Sequence, residues 1–203
     1  MRSTLITLRR WSGIGYERAS HAEKLVSTLG GLVALVAVLE ISQAQLGLDG
    51  AAALVASMGA SAVLLFAVPH GPLSQPWPVF GGHLVSALVG VSCAQMIDQP
   101  VLAAAMAVGL AIGAMHYLHC IHPPGGATAL SAVVGGDAVH QLGFQFVLTP
   151  VMLNVITMLL VALLFNAPFA WRRYPVAWAP AQKTKAAGPG PTSPPTLVEN
   201  PGE

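Results

Sequence analysis

The sequence predicts an all-α membrane protein with about six transmembrane segments, arranged as two inverted three-helix repeats whose second and fifth helices are broken. Three observations carry this expectation. None of the 147 residues from Leu25 to Trp171 is Lys or Arg, and all nine basic side chains lie outside that stretch. The chain is 54% hydrophobic and only 8% charged, where a soluble domain has roughly a quarter of its residues charged. A short pattern of small residues in the second apolar run recurs in the fifth. Positive charge beside membrane spans stays on the cytoplasmic side, so Arg2, Arg9, Arg10, Arg18 and Lys24 at one end, with Arg172, Arg173, Lys183 and Lys185 at the other, predict two cytoplasmic termini. Two ends on one side require an even number of crossings.

The elements follow in order. Residues 1–19 form a basic cytoplasmic segment with no apolar core of the signal-peptide kind, which predicts an inner or plasma membrane location. Ser20-His21-Ala22-Glu23 is a capping-box pattern ahead of an apolar run, so the first membrane helix starts near Ser20 and runs to about Leu48. Asp49-Gly50 signals a turn, and Ala51 to Val68 makes a second span ending at Pro69. His70 to Pro78 is too rich in proline for a helix and reads as a loop. Val79 to Ile97 is a third span closed by Asp98-Gln99-Pro100. Val101 to about Cys120 is a fourth, with Gly109 and Gly113 in the spacing that permits close helix contact. Leu142 to Trp171 holds the last.

Those spans number five, so parity sends the segment His122 to Gly136 across as well. Its start, Pro123-Pro124-Gly125-Gly126, reads as an extended stretch feeding a half-helix. Asp49, Asp98 and Asp137 then fall in outer turns, and Trp11, Tyr16, Trp77, Tyr117, Trp171, Tyr174 and Trp178 lie toward the cytoplasmic face. The membrane domain is residues 20–173. Residues 174–203, rich in Pro, Ala and Gly, make a cytoplasmic tail expected to be disordered.

Gly59-Ala60-Ser61-Ala62-Val63 recurs as Gly126-Ala127-Thr128-Ala129-Leu130, 67 residues later. Each copy lies in the middle span of a three-span half, which makes the halves inverted. Secondary transporters of that build hold substrate near the midplane at discontinuous helices. A half-helix beginning near Gly125 or Gly59 would leave N–H groups unpaired and a positive dipole end, which attracts an anion. Ser57, Ser61 and Thr128 supply hydroxyl hydrogens. The bland alternative is that the small residues only let helices pack closely.

The run Ile121-His122-Pro123-Pro124-Gly125-Gly126-Ala127-Thr128-Ala129-Leu130 resembles the signature of the HPP family of integral membrane proteins. Met58 to Ala67, Pro72 to Pro76 and Gly81 to Gly90 resemble its other blocks in order, so that about residues 20 to 168 are covered. Gly125 stands where many relatives have Ala. The resemblance implies a compact membrane domain and, from plastid and cyanobacterial members, nitrite transport. Family descriptions with four spans agree with the parity argument in evenness, not in number.

Together these readings predict a transporter or channel for a small monovalent anion, nitrite by the resemblance, and no enzyme, because no nucleophile and base stand in reach along the sequence. The substrate-binding candidates are Ser57, Gly59, Ala60, Ser61, His83, His122, Pro123, Gly125, Gly126, Ala127 and Thr128. Glu40 is an interfacial acid or a proton-coupling group. No cofactor and no resident metal are expected. The partners are a small inorganic anion and the bilayer, with self-association open for so small a chain; near-zero net charge speaks against nucleic acid. Cys93 and Cys120 read as small buried hydrophobes. Two alternatives stand beside this: a divalent-metal permease using His116, His119 and His122, and a non-transporting subunit that binds a partner through the Gln75-Pro76-Trp77 loop or the tail.

Overall fold

A computed structural model describes residues 19–178, apart from the side chains of residues 48–50 and 53. The basic segment before residue 19 and the tail beyond Trp178 lie outside the described residues. The Ser20 hydroxyl accepts a hydrogen bond from the Glu23 N–H at 3.1 Å, so the helix starts where its capping pattern places it. A helical run then extends from His21 to Ala67, broken at Gly47 with φ +68°. Only glycine enters that region at no steric cost, which moves the break from the expected Asp49-Gly50 turn to Gly47. We designate its two parts α1 (His21–Gly47) and α2 (Leu54–Ala67).

α3 (Pro76–Met96) and α4 (Pro100–Tyr117) follow. α3 begins earlier than expected because Pro76 takes the first helical position, where a missing N–H costs nothing. Gln99 caps α4 by accepting from Leu102 N–H. α5 (Pro123–Val134) is only 12 residues long, about 18 Å. Its start corrects an expectation: Pro123 and Pro124 begin the helix rather than preceding it, again as first-turn prolines. A four-residue helix, α6 (Asp137–His140), and a π-helical turn, Val147–Met152, lead into α7 (Leu153–Asn166).

Contacts gather one end of the bundle. Arg172 reaches Glu23 and Phe66, Trp77 Nε1 donates to Leu118 O, and Tyr174 Oη donates to Ser74 O. At the opposite end Gln95, Val139, His140 and Gly143 line one pocket. α5 starts beside Leu73 and ends where His140 bonds Val133 O, so it runs from the first end to the second. Among the described residues, four helices are long and apolar enough to cross a membrane: α1, α3, α4 and Val147–Asn166. α2 and α5 are shorter. Leu25, Leu32, Val36, Val101, Leu110, Leu148 and Leu164 are all exposed, a surface suited to lipid.

Small residues set the centre. On α3, Gly82, Ser86 and Gly90 form a stripe that receives α5: a Cβ on Gly125 would lie 2.8 Å from Gly82 O, and one on Gly90 would lie 2.5 Å from Ala129 O. The stripe expected on α4 is different. Gly109 and Gly113 meet nothing within 4 Å, and the packed face is Ala103, Ala107, Ala111 and Met115. The tail boundary also moves, since Tyr174 is buried and Val176 N donates to Gln75 Oε1.

Candidate functional site

Five fully buried polar side chains meet where α2, α3 and α5 cross: Ser57, Ser61, His83, His122 and Thr128. Apolar surroundings make an unpaired polar group costly, and these groups satisfy one another. Ser57 Oγ lies 2.7 Å from Pro124 O and 2.6 Å from Thr128 Oγ1. His83 Nδ1 lies 2.8 Å from Thr128 Oγ1, and its Nε2 lies 2.8 Å from Ser61 Oγ. Ser61 Oγ is also 2.9 Å from His122 Nε2. His122 Nδ1 ends the series, donating to Leu73 O at 2.8 Å. The imidazoles stand 4.9 Å apart, tilted by 60°. Two longer contacts, Ser61 Oγ to Ser57 O at 3.2 Å and Thr128 Oγ1 to Pro124 O at 3.5 Å, run back along their own helices.

The repeated pattern has a physical meaning in this arrangement. Ser61 and Thr128 occupy the same place in the two copies, and they bond the two nitrogens of one ring, His83. Ala62 and Ala129 are both buried, while Val63 and Leu130 are both exposed. The glycines of the pattern, Gly59 and Gly126, each line an outer groove. One lies between α1 and α2 beside Ser27, Gly31 and Phe66, and the other lies between α4 and α5 beside Val108, Ile112 and His116.

The other sequence candidates divide. Gly125 is buried against Gly82 and Ser86, so its missing side chain serves helix contact and leaves no space there for substrate. Pro123, Gly126 and Ala127 face the outer groove of α5. Ala60 is exposed and Gly59 lies inside α2, away from the histidines; the half-helix start expected near Gly59 is absent. At α5 itself the prolines remove the first two N–H groups, and Gly125 N already donates to His122 O at 2.8 Å. Hydroxyl and imidazole hydrogens therefore outnumber backbone donors here. Glu40 is exposed on α1. The histidine trio of the metal reading does not converge: His116 and His119 are exposed, with His119 at φ +52°, while His122 points into the core. Among the described residues no group of three metal-ligating side chains forms.

Sequence reasoning missed two things. A hydroxyl and a base are in reach after all, since Ser61 lies between two imidazoles across 22 and 61 residues. All members of that group are fully buried. The second is Arg172, read only as a topology signal. It is fully buried, donating to Asn166 Oδ1 at 3.0 Å, Ser27 Oγ at 2.9 Å, Glu23 Oε1 at 3.3 Å and Phe66 O at 2.5 Å. Burial pulls its basicity down, and Glu23 opposes that. Burial pushes the neighbouring Tyr174 phenol up. An isolated Arg at a span's end gives no hint in sequence of whether it faces water or closes a helix junction.

The family model described as the HPP transmembrane region matches residues 16–175. Two transmembrane proteins of Dictyostelium discoideum are similar, one 45% identical over 129 residues and the other 36% identical over 183 residues. These alignments cover 62% and 84% of this chain but 41% and 62% of the relatives, so the chain spans about two fifths to three fifths of their length. No solved structure matches it.

Proposed function

The chain belongs to the HPP transmembrane family, and from that premise we propose that it is a transporter or channel for a small monovalent anion, nitrite first among them. The observation that carries this reading is the meeting of Ser61 and Thr128 on one buried imidazole. Corresponding positions of the two repeats converge there on short helices, which is where inverted-repeat transporters hold substrate. The anion takes hydrogen bonds from the hydroxyls of Ser57, Ser61 and Thr128 and from imidazole N–H groups, with the positive end of α5 adding its dipole. The two short helices α2 and α5 supply the fifth and sixth crossings, in a plasma or inner membrane, with the Glu23 and Arg172 end cytoplasmic.

Purified protein in liposomes is expected to pass nitrite well above empty vesicles, and His83→Asn is expected to lose that flux. Flux no greater than that of empty vesicles would remove the transport reading. Orientation is checked separately by single cysteines beside Asp98 and Asp137: both label from outside, and labelling at Asp137 from the cytoplasmic side alone would sink the six-crossing topology.

A further inference from the structure

The close contacts of the buried cluster form one unbranched line: Leu73 O, His122, Ser61, His83, Thr128, Ser57, Pro124 O. It has six links, all between 2.6 and 2.9 Å. Both ends are carbonyl oxygens, which only accept. Each hydroxyl and each neutral imidazole brings one hydrogen, so the five side chains supply five hydrogens to six links. Contacts of this length between lone-pair atoms are attractive only with a hydrogen between them. The neutral line is one hydrogen short.

We propose that this line is a proton-binding site that takes up one proton as a unit. With six hydrogens every link is filled. The charge then resides on His122, which donates to Leu73 O and Ser61, or on His83, which donates to Ser61 and Thr128. The two forms interconvert through Ser61 alone: its Oγ receives a hydrogen from one Nε2 and gives its own to the other, and no link is broken. Thr128 and Ser57 point their hydrogens toward Pro124 O in both forms. In the form charged on His122, every donor between His122 and Pro124 O points toward Pro124 O; in the form charged on His83, the two links around Ser61 are reversed.

Few other charges face this line. Among the described residues no Asp, Glu, Lys or Arg hydrogen-bonds any member. On the packed elements, Ser86 of α3 donates to Met115 Sδ, Cys120 lies against Gly81, and His116 of α4 is exposed in its groove. The Glu23 and Arg172 pair belongs to the junction of α1, α2 and α7. A proton held here has no fixed counter-charge on those elements, so a bound anion is its natural partner. That last clause rests on the transport reading above; proton uptake by the line does not.

The test uses a chain carrying His21→Gln, His70→Gln, His116→Gln, His119→Gln and His140→Gln, all exposed positions, which leaves His83 and His122 as the sole imidazoles. Nitrogen NMR of that protein in micelles is followed from about pH 8 to about pH 5, the range around an ordinary histidine. One proton is expected to enter, with signals of both rings changing together at a single midpoint. Ser57→Ala removes two links and one hydrogen, leaving four of each, and is expected to abolish the event. Two independent titrations, no titration while the fold persists, or an unchanged event in Ser57→Ala would each overturn the proposal. Added nitrite is expected to raise the midpoint. Proton uptake that nitrite leaves unmoved would keep the proton site and count against the anion reading instead.

Discussion

Arg172 and the His83–His122 line are both fully buried, but they solve the problem of buried polarity in opposite ways. Arg172 brings a permanent charge and several donors to fixed acceptors on α1, α2 and the end of α7. It has nothing to gain or lose by protonation within the physiological range, so it locks the helix ends. The histidine line has no permanent charge and one fewer hydrogen than contacts, so its state depends on proton supply. A small membrane protein thus separates a clamp from a site by the type of donor it places in each.

That contrast is tested first by breaking the clamp. Arg172→Ala leaves Phe66 O and Asn166 Oδ1 without their donor, and it is expected to cost about 3 kcal/mol, read as a large fall in the thermal unfolding temperature in detergent. Thermal stability within experimental error of the parent would show that Arg172 does not hold the junction. Gly82→Ala strikes the other region through packing. Its Cβ would sit 2.6 Å from His122 Cβ and 3.0 Å from Cys120 O, so α5 must move away, at a cost of about 1 to 3 kcal/mol. Gly109→Ala, with nothing within 4 Å, is the control and should be neutral or slightly stabilising.

Tyr174 sits beside the clamp and gives a smaller, pH-dependent effect. Its phenol donates to Ser74 O at 2.8 Å, and burial raises its pKa above the ordinary value. The folded chain holds that proton more tightly than the unfolded chain does. Its contribution is complete below about pH 10, the ordinary tyrosine value, and is lost as pH rises through the raised folded value. Tyr174→Phe should therefore lose about 1 kcal/mol at neutral pH and show a weaker alkaline decline. An identical alkaline profile in Tyr174→Phe would place the decline elsewhere.

Much of this division was legible in the residues themselves. Charge distribution predicted an even parity, and the contacts of Glu23, Trp77 and Leu118 lie at one end of the bundle. The repeat pointed to Ser61 and Thr128, because a hydroxyl at the same place in two copies is visible in one dimension. What stayed hidden depends on rotation about a helix axis. Gly109 and Gly113 have the right spacing but the wrong face, and Gly125 and Gly126 are neighbours that point to different surroundings. The break at Gly47 was missed because Asp49-Gly50 is the stronger local turn signal, whereas the chain takes its positive φ at Gly47. His122 and His83 lie 39 positions apart in the chain, and only the α3 glycine stripe brings them within ring contact.

Within the buried line, a small expected change in stability is also the sharpest discriminator. Ser57→Ala deletes a hydroxyl that touches Thr128 and Pro124 O, and a simple tally of lost hydrogen bonds would predict damage similar to that at Tyr174. Hydrogen bookkeeping predicts otherwise. Without Ser57, Thr128 donates to His83, His83 to Ser61, Ser61 to His122, and His122 to Leu73 O, so no contact between lone pairs remains along the neutral line. The variant should stay within about 0.5 kcal/mol of the parent and yet no longer take up the proton. A clamp fails when a partner is removed; a line that is short of a hydrogen becomes complete when the right partner is removed, and loss of more than about 2 kcal/mol in Ser57→Ala would show that these residues form a second clamp.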